Sequence, residues 1–207
     1  MLNVGQFSMQ IMRLSGSVLD ANQQPVYKGG GEGAYNASVA AENPARFALL
    51  DAKMIGHGGG QGKIEVCDLL SIDRELIHVK MYGKSAVFSH LFAQGFVSGQ
   101  LIQIDSDFRK KVRGQLTGLF SDLIQVEKKP AQDEFTIVYS VISDIEGDNL
   151  HLPFFSRVNL NNTSKILKGF GYKVELLKIA VDNAGGVRPL SLHHARIQRI
   201  DTDLFWP

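Results

Sequence analysis

The chain has 207 residues, with 22 Lys and Arg against 21 Asp and Glu and a formal charge of +1. That balance gives no global field drawing it onto nucleic acid or a membrane, so a polyanion would need a local basic patch. A hydrophobic fraction of 44% supports one domain with a sizeable core, and the single Cys67 excludes an internal disulfide or a cysteine metal cluster.

Met1–Gln6 shows no basic stretch followed by a long apolar run, and no segment is apolar for long enough to span a bilayer. A cytoplasmic location and no membrane partner are expected. Residues 9–19 carry a weak strand or hairpin pattern, and 20–25 read as a turn. Gly29-Gly30-Gly31-Glu32-Gly33 reads as a flexible joint. Residues 1–33 are therefore expected to be a leader, with one domain over 34–207.

Ala34–Glu42 reads as a short helix stopped by Asn43-Pro44. Phe47–Ile55 fits a buried strand, and 56–62 form a glycine-rich loop. Ile64–Leu70 and Leu76–Gly83 follow as strands joined across Ser71–Glu75. Ser85 opens a helix with Ala86, Val87, Phe88, Leu91 and Phe92 at helical spacing. Gly95 is expected to interrupt it, with a second run over Ser98–Ile104. Asp107–Leu119 is basic and helix-compatible. Phe135–Ile142 alternates and is β-branched, which predicts a strand. Leu152–Ser156 leads into a helix ending at Gly169 or Gly171, and Tyr172–Ile179 is a strand. A further strand is expected near 195–200. Helices alternating with strands in this order predict an α/β fold, a mixed β-sheet flanked by helices, whose order matches a restriction-endonuclease-like core.

The chemistry gathers on 64–83. Side chains alternate along a strand, so His78 and Lys80 share one face while Ile77, Val79 and Met81 share the other. Depending on register, Glu65 or Asp68 falls beside His78 and Lys80, and a splayed strand end brings both. Acids on one strand with an (acid or His)-x-Lys on the next build metal-dependent nuclease sites. The expected roles are Glu65, Asp68 and His78 around Mg²⁺ or Mn²⁺, with Lys80 steadying the attacking water or the phosphate charge. An imidazole at the third position favours manganese, or serves as a proton shuttle. Glu65, Asp68, His78 and Lys80 are thus the expected catalytic residues. Glu42 and Asp51 are weaker extra acids.

Gln94, on the helix after the site strand, reads equally as a residue reaching back toward the centre and as a helix-end cap. Arg109, Lys110, Lys111 and Arg113 form a basic cluster that suits a phosphate backbone, though such clusters are more often a solvated helix face. Two competing motifs fail. His78-Val79-Lys80 begins an H-x-K pattern of phospholipase D type, but Ser85 stands where that pattern needs an aspartate, and no second copy exists. The 56–63 stretch lacks the first glycine of a phosphate loop, where His57 stands, and its hydroxyl, where Ile64 stands. His193-His194 has no acid at ligand spacing and takes no role.

At Tyr35-Asn36, Leu49–Asp51, Lys63–Leu70, Leu76–Lys80, Ser89–Gly95, Phe108-Arg109, Leu152–Ser156 and Lys168–Lys173 the chain resembles a sporadically distributed bacterial family of uncharacterised proteins. The resemblance runs over roughly residues 34–180. It implies that this chain corresponds to the C-terminal half of usually longer proteins. Their patchy occurrence with mobile elements implies a role in such elements or in antiviral defence, which suits a nuclease. The expected function is metal-dependent hydrolysis of DNA or RNA. The alternatives are a catalytically degenerate nucleic-acid-binding module, or a structural part, dimeric or otherwise, of a larger defence complex.

Overall fold

The computed structural model describes residues 25, 27–58, 62–146, 150–181 and 197–199. The expected arm at 9–19, most of the 20–25 turn and His193-His194 lie outside them.

The main sheet holds six strands: β1 (Phe47–Leu49), β4 (Leu69–Ser71), β5 (Glu75–Met81), β6 (Thr136–Ser143), β7 (Lys173–Ala180) and β8 (Ile197–Arg199), in that spatial order. β1, β4 and β5 are successively antiparallel, β5, β6 and β7 are parallel, and β8 returns antiparallel. Two short strands, β2 (Met54–Gly56) and β3 (Lys63–Glu65), pair separately as a hairpin. The helices are α1 (Glu32–Glu42), α2 (Ser85–Ile104), α3 (Ser106–Gly114), α4 (Leu119–Leu123) and α5 (Phe154–Gly169). The expected α/β architecture, a mixed sheet with helices against it, is present. The strand expected near 195–200 is β8.

The parallel strands are buried on both faces, which accounts for the near-continuous apolar run of β6. Adjacent residues feed opposite cores. Leu70, Leu76, Tyr139 and Leu176 pack with Phe88, Phe92 and Leu167 of α2 and α5. Leu69, Ile77, Val79 and Leu177 pack with Tyr35 and Val39 of α1. The sheet is thus the middle of three layers.

Three departures from the sequence expectation shape the site. First, Phe47–Ile55 is not one strand. Leu50 N–H and Asp51 N–H both donate to the Asp68 carbonyl, and Ala52 adopts φ 59°, so the chain turns between β1 and β2. Second, Ile64–Leu70 also breaks. Val66 and Cys67 are both buried, so alternation is lost and β4 restarts at Leu69. Third, α2 runs unbroken through Gly95. A Cβ there would lie 2.6 Å from Tyr139 Cε1, so glycine lets the helix approach the sheet, and Tyr139 O–H donates to the Phe92 carbonyl at 3.2 Å. The basic 107–119 stretch is helical only as far as Gly114, in α3, and α4 begins at its last residue, Leu119.

The described residues ahead of 34 are joined to the domain. Tyr27 bridges Val181, and its N–H donates to the Ala180 carbonyl at 2.9 Å. Glu32 and Gly33, placed in the expected leader, form the first turn of α1. No helix among the described residues is long and apolar enough to cross a membrane.

A candidate metal centre

Both strand breaks converge on one place. Asp51 lies in the turn after β1, Glu65 ends β3, and Asp68 precedes β4. One carboxylate oxygen from each lies within 4.8 Å of the others. All three residues are partly exposed, so the cluster is reachable from solvent.

Asp68 is the best-anchored member. Its N–H donates to the Ile77 carbonyl at 2.9 Å, and its carbonyl accepts from Leu50 and Asp51 at 2.8 and 3.0 Å. Its Oδ2 accepts the Val79 N–H at 2.6 Å. Backbone bonds on both sides thus fix where its carboxylate sits. Glu65 is held by two donors: Ala52 N–H reaches Oε1 at 2.7 Å, and Gln94 Nε2 reaches Oε2 at 3.1 Å. The left-handed Ala52 points that N–H, in a conformation costing about 1–2 kcal/mol for a non-glycine residue. Asp51 Oδ2 accepts from Asn36 Nδ2 at 3.0 Å.

Asn36 belongs to α1, one helical turn after Glu32, so both project from the same helix face. Glu32 Oε2 meets Lys80 Nζ at 2.7 Å, and Oε1 accepts the Met81 N–H at 2.9 Å. A single helix face therefore steadies Asp51 and fastens Lys80.

The electrostatics follow from this crowding. Asp68 is raised from 3.8 to about 7, chiefly by burial, against the Val79 N–H and with the charges of Glu65 and Asp51 adding to it. Burial pulls the Lys80 ammonium down, but the Glu32 hydrogen bond and the charges of Glu32, Asp68 and Glu65 together outweigh it and raise its pKa. Hydrogen bonds occupy part of each carboxylate's acceptor capacity and leave the rest, since a carboxylate offers about four acceptor positions. Three oxygen donors suit a hard divalent cation better than a soft one.

The expected residues divide. Glu65, Asp68, Lys80 and Gln94 belong to this neighbourhood. His78 does not join the oxygens as the third ligand. The residue is 2% exposed, its ring is centred 6.0 Å from that of Tyr139, and burial lowers its pKa to about 3, a neutral core imidazole. Asp51, the weaker acid on sequence grounds, supplies the third oxygen. Glu42 is exposed at the far end of α1 and outside the cluster.

The basic cluster is dispersed. Arg109 is buried, and its guanidinium donates to the carbonyls of Ile102, Gln103, Gln125 and Val126. It ties α2 and α3 to the segment after α4 and does not face a phosphate backbone. Arg113 pairs with Asp122 at 3.2 Å, and Lys111 donates to the Gly56 carbonyl at 2.7 Å. Lys110 remains on the exposed side of α3.

Sequence patterning alone does not mark Glu32 or Asn36 as site residues. Asn36 stood among the residues carrying the family resemblance. Glu32 sat inside a glycine run, and its partner lies 48 residues away. Cys67 is fully buried with a raised pKa, an inert core thiol beside the cluster.

Fold and site together define an α/β domain with a solvent-reachable carboxylate triad that could hold a metal ion, flanked by a fixed lysine. Residues 6–180 match the model described as a family of unknown function, DUF6119, and the chain belongs to that family. Comparison with curated proteins and with solved structures gave no match in either case.

Proposed function

We propose that this protein hydrolyses phosphodiester bonds of DNA or RNA with a divalent cation, Mg²⁺ or Mn²⁺, held by Asp51, Glu65 and Asp68. The observation that supports this most is the meeting of three carboxylate oxygens within 4.8 Å, beside a lysine fastened at the end of the neighbouring strand. The restriction-endonuclease-like order of elements agrees with the reading at the level of fold alone.

A bound cation supplies Lewis-acid stabilisation of phosphate charge and lowers the pKa of a coordinated water. The chain's own residues set the stage for it. Asp68, pinned by β5, fixes the position of the site. Gln94 and Ala52 N–H orient Glu65, and Asn36 orients Asp51. Lys80 holds a positive charge where phosphate charge develops, and Glu32 limits where that ammonium sits. A place in mobile elements or antiviral defence, in the cytoplasm, fits such an activity.

The second reading is a module that binds nucleic acid without cutting it. The burial of His78, at the position where such nucleases carry an acid, favours it. Incubation of labelled DNA and RNA with Mn²⁺ separates the two. Cleavage by the wild type, abolished in Lys80→Ala with Mn²⁺ binding retained, supports the enzyme. Equal cleavage by Lys80→Ala contradicts it. Binding with no cleavage and no Mn²⁺ uptake supports the module.

A further inference from the structure

At the start of α5, Phe154 and Phe155 are 63% and 76% exposed, although a phenylalanine is ordinarily among the more buried residues. Their rings meet edge to face with centroids 5.4 Å apart, and the Arg157 guanidinium lies 5.9 Å from the Phe154 ring. Val158, one position further, is exposed as well. Adjacent apolar side chains exposed in this way mark a surface that meets something.

Its location and charge restrict what that is. α5 follows β6 and begins beyond the C-terminal ends of the parallel strands, the edge where α/β sheets bind ligands. Tyr82, two residues past Lys80, donates its O–H to the His151 carbonyl at 2.7 Å. The entrance to α5 is thereby tied to the strand end that carries Lys80. α5 holds Arg157, Lys165 and Lys168 and no acidic residue, with Arg157 and Lys165 exposed. An exposed aromatic pair with an overlying guanidinium on a purely basic helix matches a chain of phosphates carrying unpaired bases. Stacking on the rings is open to any base, and the basic residues meet the backbone. A duplex keeps its bases stacked on each other and cannot use the rings this way.

We infer that Phe154, Phe155 and Arg157 form a docking platform for single-stranded nucleic acid, stacking unpaired bases at the end of the sheet where β5 carries Lys80. The inference rests on the proposed nuclease reading for its choice of ligand class, and it names the form of substrate that reading leaves open.

The test is fluorescence anisotropy with a labelled twelve-nucleotide oligothymidylate, its duplex with oligoadenylate, and an abasic strand of equal length. EDTA is present throughout, so binding is read apart from metal uptake and cleavage. The wild-type chain is expected to bind the single strand at least fivefold more tightly than the abasic strand or the duplex. Phe154→Ala/Phe155→Ala is expected to lose at least about fivefold in affinity for oligothymidylate, the lower end of one base's stacking. Its affinity for the abasic strand is expected to stay the same. A second variant guards against damage to the fold: Phe155→Trp, in a chain whose single tryptophan, Trp206, is changed to Phe, is expected to show tryptophan quenching as oligothymidylate binds. No preference for the single strand, equal losses on the abasic strand, or no quenching overturns the inference. So does sedimentation showing a wild-type dimer that the double alanine variant splits, which would make the patch an interface between copies. Stacking that persists in a chain found to take up no Mn²⁺ would uphold the platform while the nuclease reading fails.

Discussion

Asp68→Asn is expected to stabilise the metal-free protein above neutral pH and to abolish its stabilisation by metal. Asp68 stands at about 7 in the fold against an ordinary 3.8, mainly because it is buried and secondarily because Glu65 and Asp51 lie beside it. Between roughly pH 4 and 7 the folded chain therefore holds a proton that the unfolded chain has lost, so acidification favours folding. The penalty is fully present above pH 7 and vanishes below about pH 4. At about 1.4 kcal/mol per pH unit the ceiling is about 4 kcal/mol. Partial access of solvent to the cluster screens those charges and brings the expected figure to about 2 kcal/mol. Asparagine removes the charge and keeps a carbonyl oxygen for the Val79 N–H now bound by Oδ2. Urea unfolding in EDTA, followed by circular dichroism, should show the variant about 2 kcal/mol more stable than wild type at pH 8, with the gain shrinking toward pH 4. Added Mn²⁺ should then stabilise the wild type and leave the variant unmoved. A variant less stable than wild type at pH 8 would refute the reasoning, because Asp68 would then be serving the fold rather than waiting for a cation.

His78→Leu should remove an acid lability. The buried imidazole stays neutral down to about pH 3 while the unfolded chain takes its proton near 6.5, so wild-type stability falls as the pH drops through that window. The leucine variant should gain about 2 kcal/mol on wild type at pH 5 relative to their difference at pH 8. An unchanged difference in urea midpoints would contradict this. Gly95→Ala should lower the melting temperature by several degrees, since a Cβ 2.6 Å from Tyr139 forces the helix off the sheet at about 1–3 kcal/mol. Calorimetry showing no loss would contradict the close approach of α2. Glu32→Gln should change stability by no more than about 1 kcal/mol, as expected for a partly exposed pair. On the proposed nuclease reading, the alkaline limb of the cleavage rate should move to lower pH, because Lys80 loses the partner that raises its pKa. An unmoved limb would detach Lys80 from the reaction.

What could be read in the sequence follows from periodicity. β6 is long, apolar and β-branched, and β7 sets Val174, Leu176, Leu177 and Ile179 in an eight-residue run, so both patterns are plain, and the helical spacing in α2 is equally so. The site acids Glu65 and Asp68 were legible because acids are unusual within apolar strand-like runs. The breaks that bring them together were not. Phe47–Ile55 and Ile64–Leu70 read as continuous strands because an apolar run conceals a turn when the turn is made by long-range bonds, here to the Asp68 carbonyl. Asp51 gains its place only from that turn. Gly95 read as a helix breaker because propensity is local, whereas the contact with Tyr139 is tertiary. The imidazole of His78 looked like a ligand by spacing, but the neighbouring strand buries it against Tyr139, and a neutral core histidine results. Arg109 looked like a phosphate contact by its basic company and is consumed by four backbone carbonyls.

Isothermal titration of Mn²⁺ into the 207-residue chain at pH 7.5 tests the centre most directly. Wild type and His78→Leu should each take up a cation, and Asp51→Asn, Glu65→Gln and Asp68→Asn should each lose most of that affinity. No uptake by the wild type, or uptake that survives Asp51→Asn and disappears in His78→Leu, would contradict a centre built from the three carboxylates.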